Sequence, residues 1–552
     1  MSTRTRILYA AISLSVLAVL LSSLKNEFVW DDNVFIAQNP HIGQVDRIGV
    51  DLTTSFWQGA QQFSEQADYF WRPLTTFVIH ISALVFGPSP TAFHGISLIV
   101  AALSALLFGL LCASVINGPF RMEIPLFVSL IYLIHPLHVE TLAMAMNISD
   151  SLAMSFLLGG CLLAFRWFRS SLRSLYMVPG LVLLCLGACF SKEIGASCVG
   201  IPVVTAILLH QVDPAASARS LKSPVLWICP FIAVAIYGAL RWRVLSGVHG
   251  PLNSPLFSPL TIPLAWGEAL FQAVVPVAGS AHVYIAPSSV GSWIKAVCLL
   301  TVLAAVVATQ VFRRRWYRLP AWGLLGGLLL LLPSLFMVPQ IEGFIRLPVR
   351  YLHVVMPGFL LAVIPLLAQR WSRLYRLAAV LLIVACSLLS FVRISSWRTN
   401  NTSVLAEFDA HPEQAVEVLD VAKIALAAND YDKARTFLQQ ASTAVDIQYP
   451  PHRALRYSLQ ARIAAFQEGD PDRATRLIRQ AISLHATHLL YVLQLAAFRS
   501  MAGHPGQSIQ VLRKALQAPW FSEFQKNRIR VELARYTADK GARSADSPDG
   551  VP

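Results

Sequence analysis

Residues 93–117 read FHGISLIVAALSALLFGLLCASVIN, with no Asp, Glu, Lys or Arg. One helix of this length can cross the roughly 30 Å hydrocarbon core of a bilayer. Similar apolar runs follow at about 123–138, 149–167, 175–191, 194–210, 224–241, 293–312, 320–338, 348–368 and 374–393. An earlier run, Ile7 to Leu24, follows Arg4 and Arg6 as in a signal peptide. Ser22-Ser23-Leu24-Lys25 offers no A-x-A-like cleavage site, so this run reads as an uncleaved anchor with a cytoplasmic N-terminus. These runs predict about eleven spans. Composition agrees, since 13% of the 552 residues are charged, against about 25% in soluble domains. The deficit ends near residue 394, beyond which the chain is polar, Ala-rich and periodic. The expected fold class is all-α: a polytopic membrane domain over 1–394, a helical domain over 395–538 and a disordered tail over 539–552.

The net charge of +14 would suggest nucleic acid in a soluble protein. Here the excess falls in short loops between spans, which the positive-inside rule explains, and no nucleic-acid partner is expected. Arg121; Arg166, Arg169 and Arg173; Arg219 and Lys222; Arg313, Arg314, Arg315 and Arg318; and Arg370, Arg373 and Arg376 mark the cytoplasmic loops, with only Glu123 and Asp213 against them. The alternation holds if 257–280, which carries Pro259, Pro263, Pro276, Glu268 and Gln272, does not span fully. An odd number of spans from a cytoplasmic start puts the C-terminal domain outside, which in a bacterial inner membrane is the periplasm. The eight cysteines lie in or beside apolar runs and read as small buried hydrophobes.

The outer side then receives the acidic and mixed motifs. Phe28-Val29-Trp30-Asp31-Asp32-Asn33 opens a long first outer loop, 25–92. Leu74 to Phe86 within that loop is apolar but shorter than a span, and reads as a helix lying along the membrane surface. Trp71-Arg72-Pro73, His135-Pro136-Leu137-His138-Val139-Glu140, Asp150, Lys192-Glu193, and Glu342 through Arg350-Tyr351 also fall outside. Charge at membrane depth is costly and marks function by default.

Past residue 394, three units align on small residues. Tyr431-Asp432-Lys433-Ala434 leads to Leu438 and Ala441, and Pro471-Asp472-Arg473-Ala474 leads to Ile478 and Ala481. Pro505-Gly506-Gln507-Ser508 leads to Leu512 and Ala515. Ala474 and Ser508 are 34 residues apart, the tetratricopeptide period. The first interval is 40, with an insertion around Tyr449-Pro450-Pro451. The units resemble tetratricopeptide repeats, which stack hairpins on a shared face and bind extended peptides or partner proteins.

The whole order of motifs resembles the GT-C fold of polyprenyl-phosphate-sugar-dependent glycosyltransferases. Within it, the chain is most similar to the transmembrane-and-tetratricopeptide O-mannosyltransferases and their bacterial relatives. The residues that carry the likeness are Phe28 to Asp32 with Asn39-Pro40, Arg72-Pro73-Leu74, Phe93-His94, His135-Pro136-x-His138-x-Glu140, Asp150, Lys192-Glu193, Arg350-Tyr351-Leu352 and Trp397. The resemblance implies an outward-facing site, a lipid-linked sugar such as an undecaprenyl or dolichyl phosphate hexose, and transfer with inversion. The acceptor hydroxyl could belong to a protein Ser or Thr, a lipid or a glycan.

The residue types suit that chemistry. A hydroxyl is a poor nucleophile and needs a base, for which Asp31 and then Asp32 are the candidates. A departing phosphate gains charge that cations stabilise, and Arg350, Arg346 and Lys192 are the candidates there. His135, His138, Glu140, Arg72, Glu342 and Tyr351 are candidates for the acceptor or sugar pocket. Some families of this fold use Mg2+ or Mn2+ and others use no metal; an ion here would fall to Asp31, His138 and Glu140.

Structural roles stand beside these. One aspartate could cap a helix near Val34, and Asp150 could favour a helix start. Lys192-Glu193 could be a local ion pair. Arg72 could pair with an acid of the first loop or snorkel beside Trp71. Two other functional classes compete: a transporter or flippase of lipid-linked sugars, and a non-catalytic membrane-anchored repeat scaffold.

Overall fold

The computed structural model describes residues 3–56, 70–116, 120–169, 176–245, 261–275, 280–312, 323, 326–331, 340–341, 344–521 and 523–545. The chain forms two compact units, the first ending at Ser403 and the second running on from Val404. Composition alone placed that boundary at 394/395. The difference arises because the membrane helix Arg373–Ser396 is followed by a turn that folds back on the first unit, where Glu27 N–H donates to the Arg398 carbonyl at 2.9 Å.

Among the described residues, five helices of the first unit are long and apolar enough to cross a membrane: Pro90–Val115, Ala145–Arg169, Glu193–His210, Pro224–Leu245 and Arg373–Ser396. A sixth crossing results if the pair Glu123–Ile134 and Pro136–Ala143, bent by 50°, counts as one span. Other expected spans are shorter apolar helices, namely Tyr9–Lys25, Met177–Ser191, Val290–Ala305 and Val349–Ile364. The run 320–338 lies largely outside the described residues. The first-loop helix Pro73–Phe86 and the helix Thr261–Val274 within 257–280 are each 14 residues, too short for a straight crossing at 1.5 Å per residue.

The first unit is not purely helical. A three-stranded antiparallel sheet runs in the order β1-β3-β2, with β1 His282–Ile285, β2 Gln340–Ile341 and β3 Phe344–Pro348. Its alternating aromatic and branched residues suit a pleated, half-buried surface. Tyr284 pairs with Arg346, while Ile345 and Leu347 are buried on the other face of β3. The end of β3 is tied down by Val349 N–H donating to the Ala281 carbonyl at 2.8 Å. This fixes the turn that carries Arg350. A separate charged group unites Glu123, Trp371 and Arg376: the indole N–H donates to Glu123 at 2.9 Å and Arg376 Nε lies 3.5 Å away.

The second unit consists of helix hairpins. Ala415–Ala427 pairs with Tyr431–Gln440, Pro450–Phe466 with Pro471–Leu484, and Leu489–Met501 with Pro505–Leu516. The small anchors Ala434, Ala474 and Ser508 are fully buried, as are Ile478 and Leu512, with Leu438 nearly so. Small side chains at these buried positions let the paired helices approach closely, which is why these positions set the repeat. Each hairpin turns through a left-handed residue at the same place, Asn429, Gly469 and Gly503. Asp430 and Asp470 then cap the second helix, accepting from Lys433 N–H at 3.1 Å and Arg473 N–H at 2.8 Å. In the insertion, buried Asp446 bonds Ala415 N–H at 2.5 Å and His452 at 3.0 Å. The helix Glu523–Ala545 continues into the stretch expected as a disordered tail.

Candidate active site

The loop after the first helix brings Asp31 and Asp32 to opposite uses. Asp32 is fully buried and accepts from two backbone groups, Ala145 N–H at 2.9 Å on Oδ2 and Met146 N–H at 2.8 Å on Oδ1. It therefore caps the short turn that opens the Ile148–Arg169 helix, 113 residues away. The expected local cap near Val34 is absent: Asp32 makes no side-chain bond to the turn Asn33–Ala37. Burial pushes its carboxyl up to about 7, against the opposing pull of the backbone N–H groups. Asp32→Asn would set an amide N–H against one of those two donors. Leaving a buried donor unpaired costs about 1–3 kcal/mol, so this variant is expected to unfold at a lower temperature than wild type in a micelle thermal-unfolding assay.

Asp31 is half-buried and has no hydrogen-bond or ion-pair partner among the described residues. Burial raises its pKa above the usual carboxylate range; nearby Arg350 and Arg72 oppose the rise and Glu140 adds to it. It is a carboxylate beside cations, with its oxygens uncommitted.

Arg350, Glu140 and Arg72 near it belong to two of three neighbouring ion pairs built from residues far apart in sequence. Glu140 is fully buried and takes Arg350 twice, the backbone N–H at 3.0 Å and Nη1 at 2.6 Å. Lys192 Nζ donates to buried Asp150 at 2.5 Å. Arg72 forks onto Glu193 at 2.8–3.1 Å, its guanidinium flanked by Phe56 and Phe70 at 5.1 and 4.7 Å. The Tyr351 ring lies 5.1 Å from Lys192 Nζ and 5.5 Å from the Arg350 guanidinium.

The helix Pro73–Phe86 is locked to this corner by Thr75 Oγ1 donating to the Ser191 carbonyl at 2.7 Å. Burial lowers the Lys192 pKa to about 8; Asp150 opposes this, while Arg72 and Arg350 reinforce it.

Two expected pairings are corrected. Lys192 and Glu193 do not pair locally. Lys192 is fully extended, with φ −161° and ψ 156°, and adjacent residues of an extended chain project to opposite sides. Each therefore finds a distant partner. Arg72 likewise pairs with Glu193 and not with an acid of its own loop.

The remaining candidates are more scattered. Arg346 is placed by the sheet, over the Tyr284 ring at 5.8 Å and 3.4 Å from His282 Nδ1. His135 is used locally, accepting from Leu137 N–H at 3.3 Å to cap the turn Pro136–His138. His138 is buried against the rings of Tyr132 and His353, at 4.4 and 4.8 Å. Glu342 lies outside the described residues.

Asp31, His138 and Glu140 do not bring ligand atoms within 4.8 Å of one another, and both Glu140 oxygens already hold Arg350. These three residues do not fit a shared metal. Sequence reading missed His353, which bonds the Arg350 carbonyl, and the aromatic walls Phe56 and Phe70. The only signal for His353 is its place three residues after Arg350.

No family model matches the chain. Among curated proteins it is similar to protein O-mannosyl-transferase F38B6.6 of Caenorhabditis elegans, 25% identical over 279 residues, 49% of this chain and 38% of that protein. It is also similar to human protein O-mannosyl-transferase TMTC1, 31% identical over 28% of this chain and 16% of that protein. Human protein O-mannosyl-transferase TMTC3 is 24% identical over 36% and 21%. The matches thus span well under half the length of these relatives. Among solved structures, yeast Tom70 aligns at 11% identity over 76% of this chain and 93% of that chain, with a TM-score of 0.21, too low to bear on the fold. The curated relatives of this multi-pass chain are protein O-mannosyl-transferases of the transmembrane-and-tetratricopeptide type.

Proposed function

We propose that the chain is a membrane glycosyltransferase of GT-C type. It moves a hexose, mannose in keeping with its relatives' names, from a polyprenyl phosphate to a protein Ser or Thr hydroxyl. The observation that carries this reading is Asp31: an uncommitted carboxylate beside two cations, Arg350 and Arg72, that are each already held by a carboxylate. The acceptor oxygen attacks the anomeric carbon, its proton passes to Asp31, and the bond from that carbon to the phosphate oxygen breaks. Polyprenyl phosphate leaves with the bonding electrons, and one displacement inverts the sugar. Arg350 and Lys192 meet the charge that develops on the leaving group. Asp32, Glu140, Asp150 and Glu193 hold the frame, and no step calls for a metal.

On this reading the shorter apolar helices also cross, giving the full set of about eleven spans. The site and the repeat unit then face outward, in a bacterial inner membrane the periplasm. The Glu123, Trp371 and Arg376 group supports this topology, since it unites residues of loops that the basic-residue alternation assigns to the cytoplasmic side.

The test is reconstitution of the full chain in lipid nanodiscs with a polyprenyl phosphate mannose labelled in the sugar and a Ser/Thr-rich peptide. Label on the peptide, with stoichiometric release of polyprenyl phosphate, is expected. In a parallel reconstitution into sealed vesicles, label crossing the bilayer without peptide modification would instead indicate a flippase and end the proposal.

The pH profile adds a second expectation. Asp31 acts only when deprotonated and its pKa is raised, so kcat/KM should fall with acid at a pH above the ordinary carboxylate value of about 3.9. Lys192 acts only when protonated and its pKa is lowered to about 8, so an alkaline limb should appear near there. An acid limb no higher than about 3.9 would contradict the Asp31 assignment, and no alkaline limb up to about pH 9.5 would contradict that of Lys192.

A further inference from the structure

We propose that Trp30 is a positioning residue that fixes the direction of Asp31. The inference rests on the reading of Asp31 as the base and adds how that base is aimed. Asp31 has no hydrogen-bond or ion-pair partner among the described residues to hold its carboxylate. Its orientation must then come from the chain on either side. On the C-terminal side Asp32 is pinned by Ala145 and Met146 N–H. On the N-terminal side stands Trp30, at φ +48°. This left-handed conformation is a genuine outlier for a bulky residue and persists only where the surroundings over-determine it. Among the described non-glycine residues it is shared only by Asn429, a residue type that tolerates it.

The surroundings of Trp30 do over-determine it. Its backbone N–H donates to Asn400 Oδ1 at 3.0 Å and its indole N–H to Ser403 Oγ at 2.7 Å. Its ring stacks on His282 of β1 at 5.6 Å and 16°, with Trp397 alongside at 5.5 Å. All four partners belong to the first unit. Asp31 is thus a single residue between two fixed points and has no slack. A relaxed turn at position 30 would swing the carboxylate away from Arg350 and Arg72.

The experiment uses the full chain in nanodiscs with polyprenyl phosphate mannose and the peptide acceptor. Trp30→Gly adopts φ +48° without strain, keeps the backbone bond to Asn400 and deletes the indole contacts to Ser403, His282 and Trp397. It is expected to lower kcat 10- to 100-fold with donor KM within threefold of wild type. It should move the acid limb to lower pH, because a loosened Asp31 gains water, and raise hydrogen exchange across residues 29–37. Wild-type kcat and limb in a folded W30G would overturn the proposal. So would a loss confined to thermal stability, with kcat per folded molecule unchanged.

Ser403→Ala removes one clamp bond and keeps the indole, which covers the case that W30G does not fold. A three- to tenfold loss of kcat with the same limb shift is expected, and wild-type behaviour in S403A would overturn the proposal. Transfer that persists in Asp31→Asn would sink the base reading instead, and the exchange data would still report whether Trp30 holds the loop.

Discussion

Asp31→Asn is expected to lower transfer by about 10²- to 10⁴-fold, the range of a lost general base, while the protein stays folded. The amide is nearly isosteric but cannot take a proton at neutral pH. Stability should change little, because Asp31 has no hydrogen-bond or ion-pair partner among the described residues to lose. The matched variant Asp32→Asn should lose stability first and lose less activity per folded molecule than Asp31→Asn, because Asp32 serves the Ala145 and Met146 N–H groups and keeps one of them while it anchors Asp31 from the C-terminal side. Measuring kcat and thermal unfolding on both proteins separates the roles. An Asp31→Asn enzyme with wild-type kcat would exclude Asp31 as the base.

Arg350→Met should be the most destabilising single change at the site. Glu140 is fully buried and its two oxygens are held by the Arg350 guanidinium and backbone N–H. Removing the guanidinium strands a buried carboxylate, a loss of about 3–5 kcal/mol in comparable pairs. Removing both charges should restore much of it, since a buried pair replaced by apolar groups is often neutral. Arg350→Met with Glu140→Leu is therefore expected to recover thermal stability but not transfer. A double variant that regained activity along with stability would show that Arg350 serves the fold alone.

Much of the molecule is legible in the sequence because the signals are local. Apolar runs such as Pro90–Val115 and Arg373–Ser396 declare themselves, since crossing a bilayer depends on the run itself. The repeat was readable at Ala434, Ala474 and Ser508, because close helix approach restricts the residue type at that very position. The small sheet was not readable. Its strands are two to five residues long, and β1 and β3 are separated by a 23-residue helix, so no local period announces them. The span expected at 175–191 is the helix Met177–Ser191, which ends where the sequence reading ended it; what that reading did not give is that Lys192 beyond it turns to Asp150.

The sequence by itself determined which carboxylates and cations stand at or between the ends of apolar runs. It could not say which would pair. Asp31 and Asp32 are adjacent and chemically identical, and Lys192-Glu193 looks self-sufficient. Only the tertiary structure assigned Asp32 to a helix start 113 residues away, Lys192 to Asp150 and Glu193 to Arg72, leaving Asp31 open. The physical reason is that charge pairing depends on separations of 3–4 Å between side chains, and packing sets these between helices distant in the chain. Composition places charges at the ends of apolar runs, whereas contact decides which of them is left uncommitted.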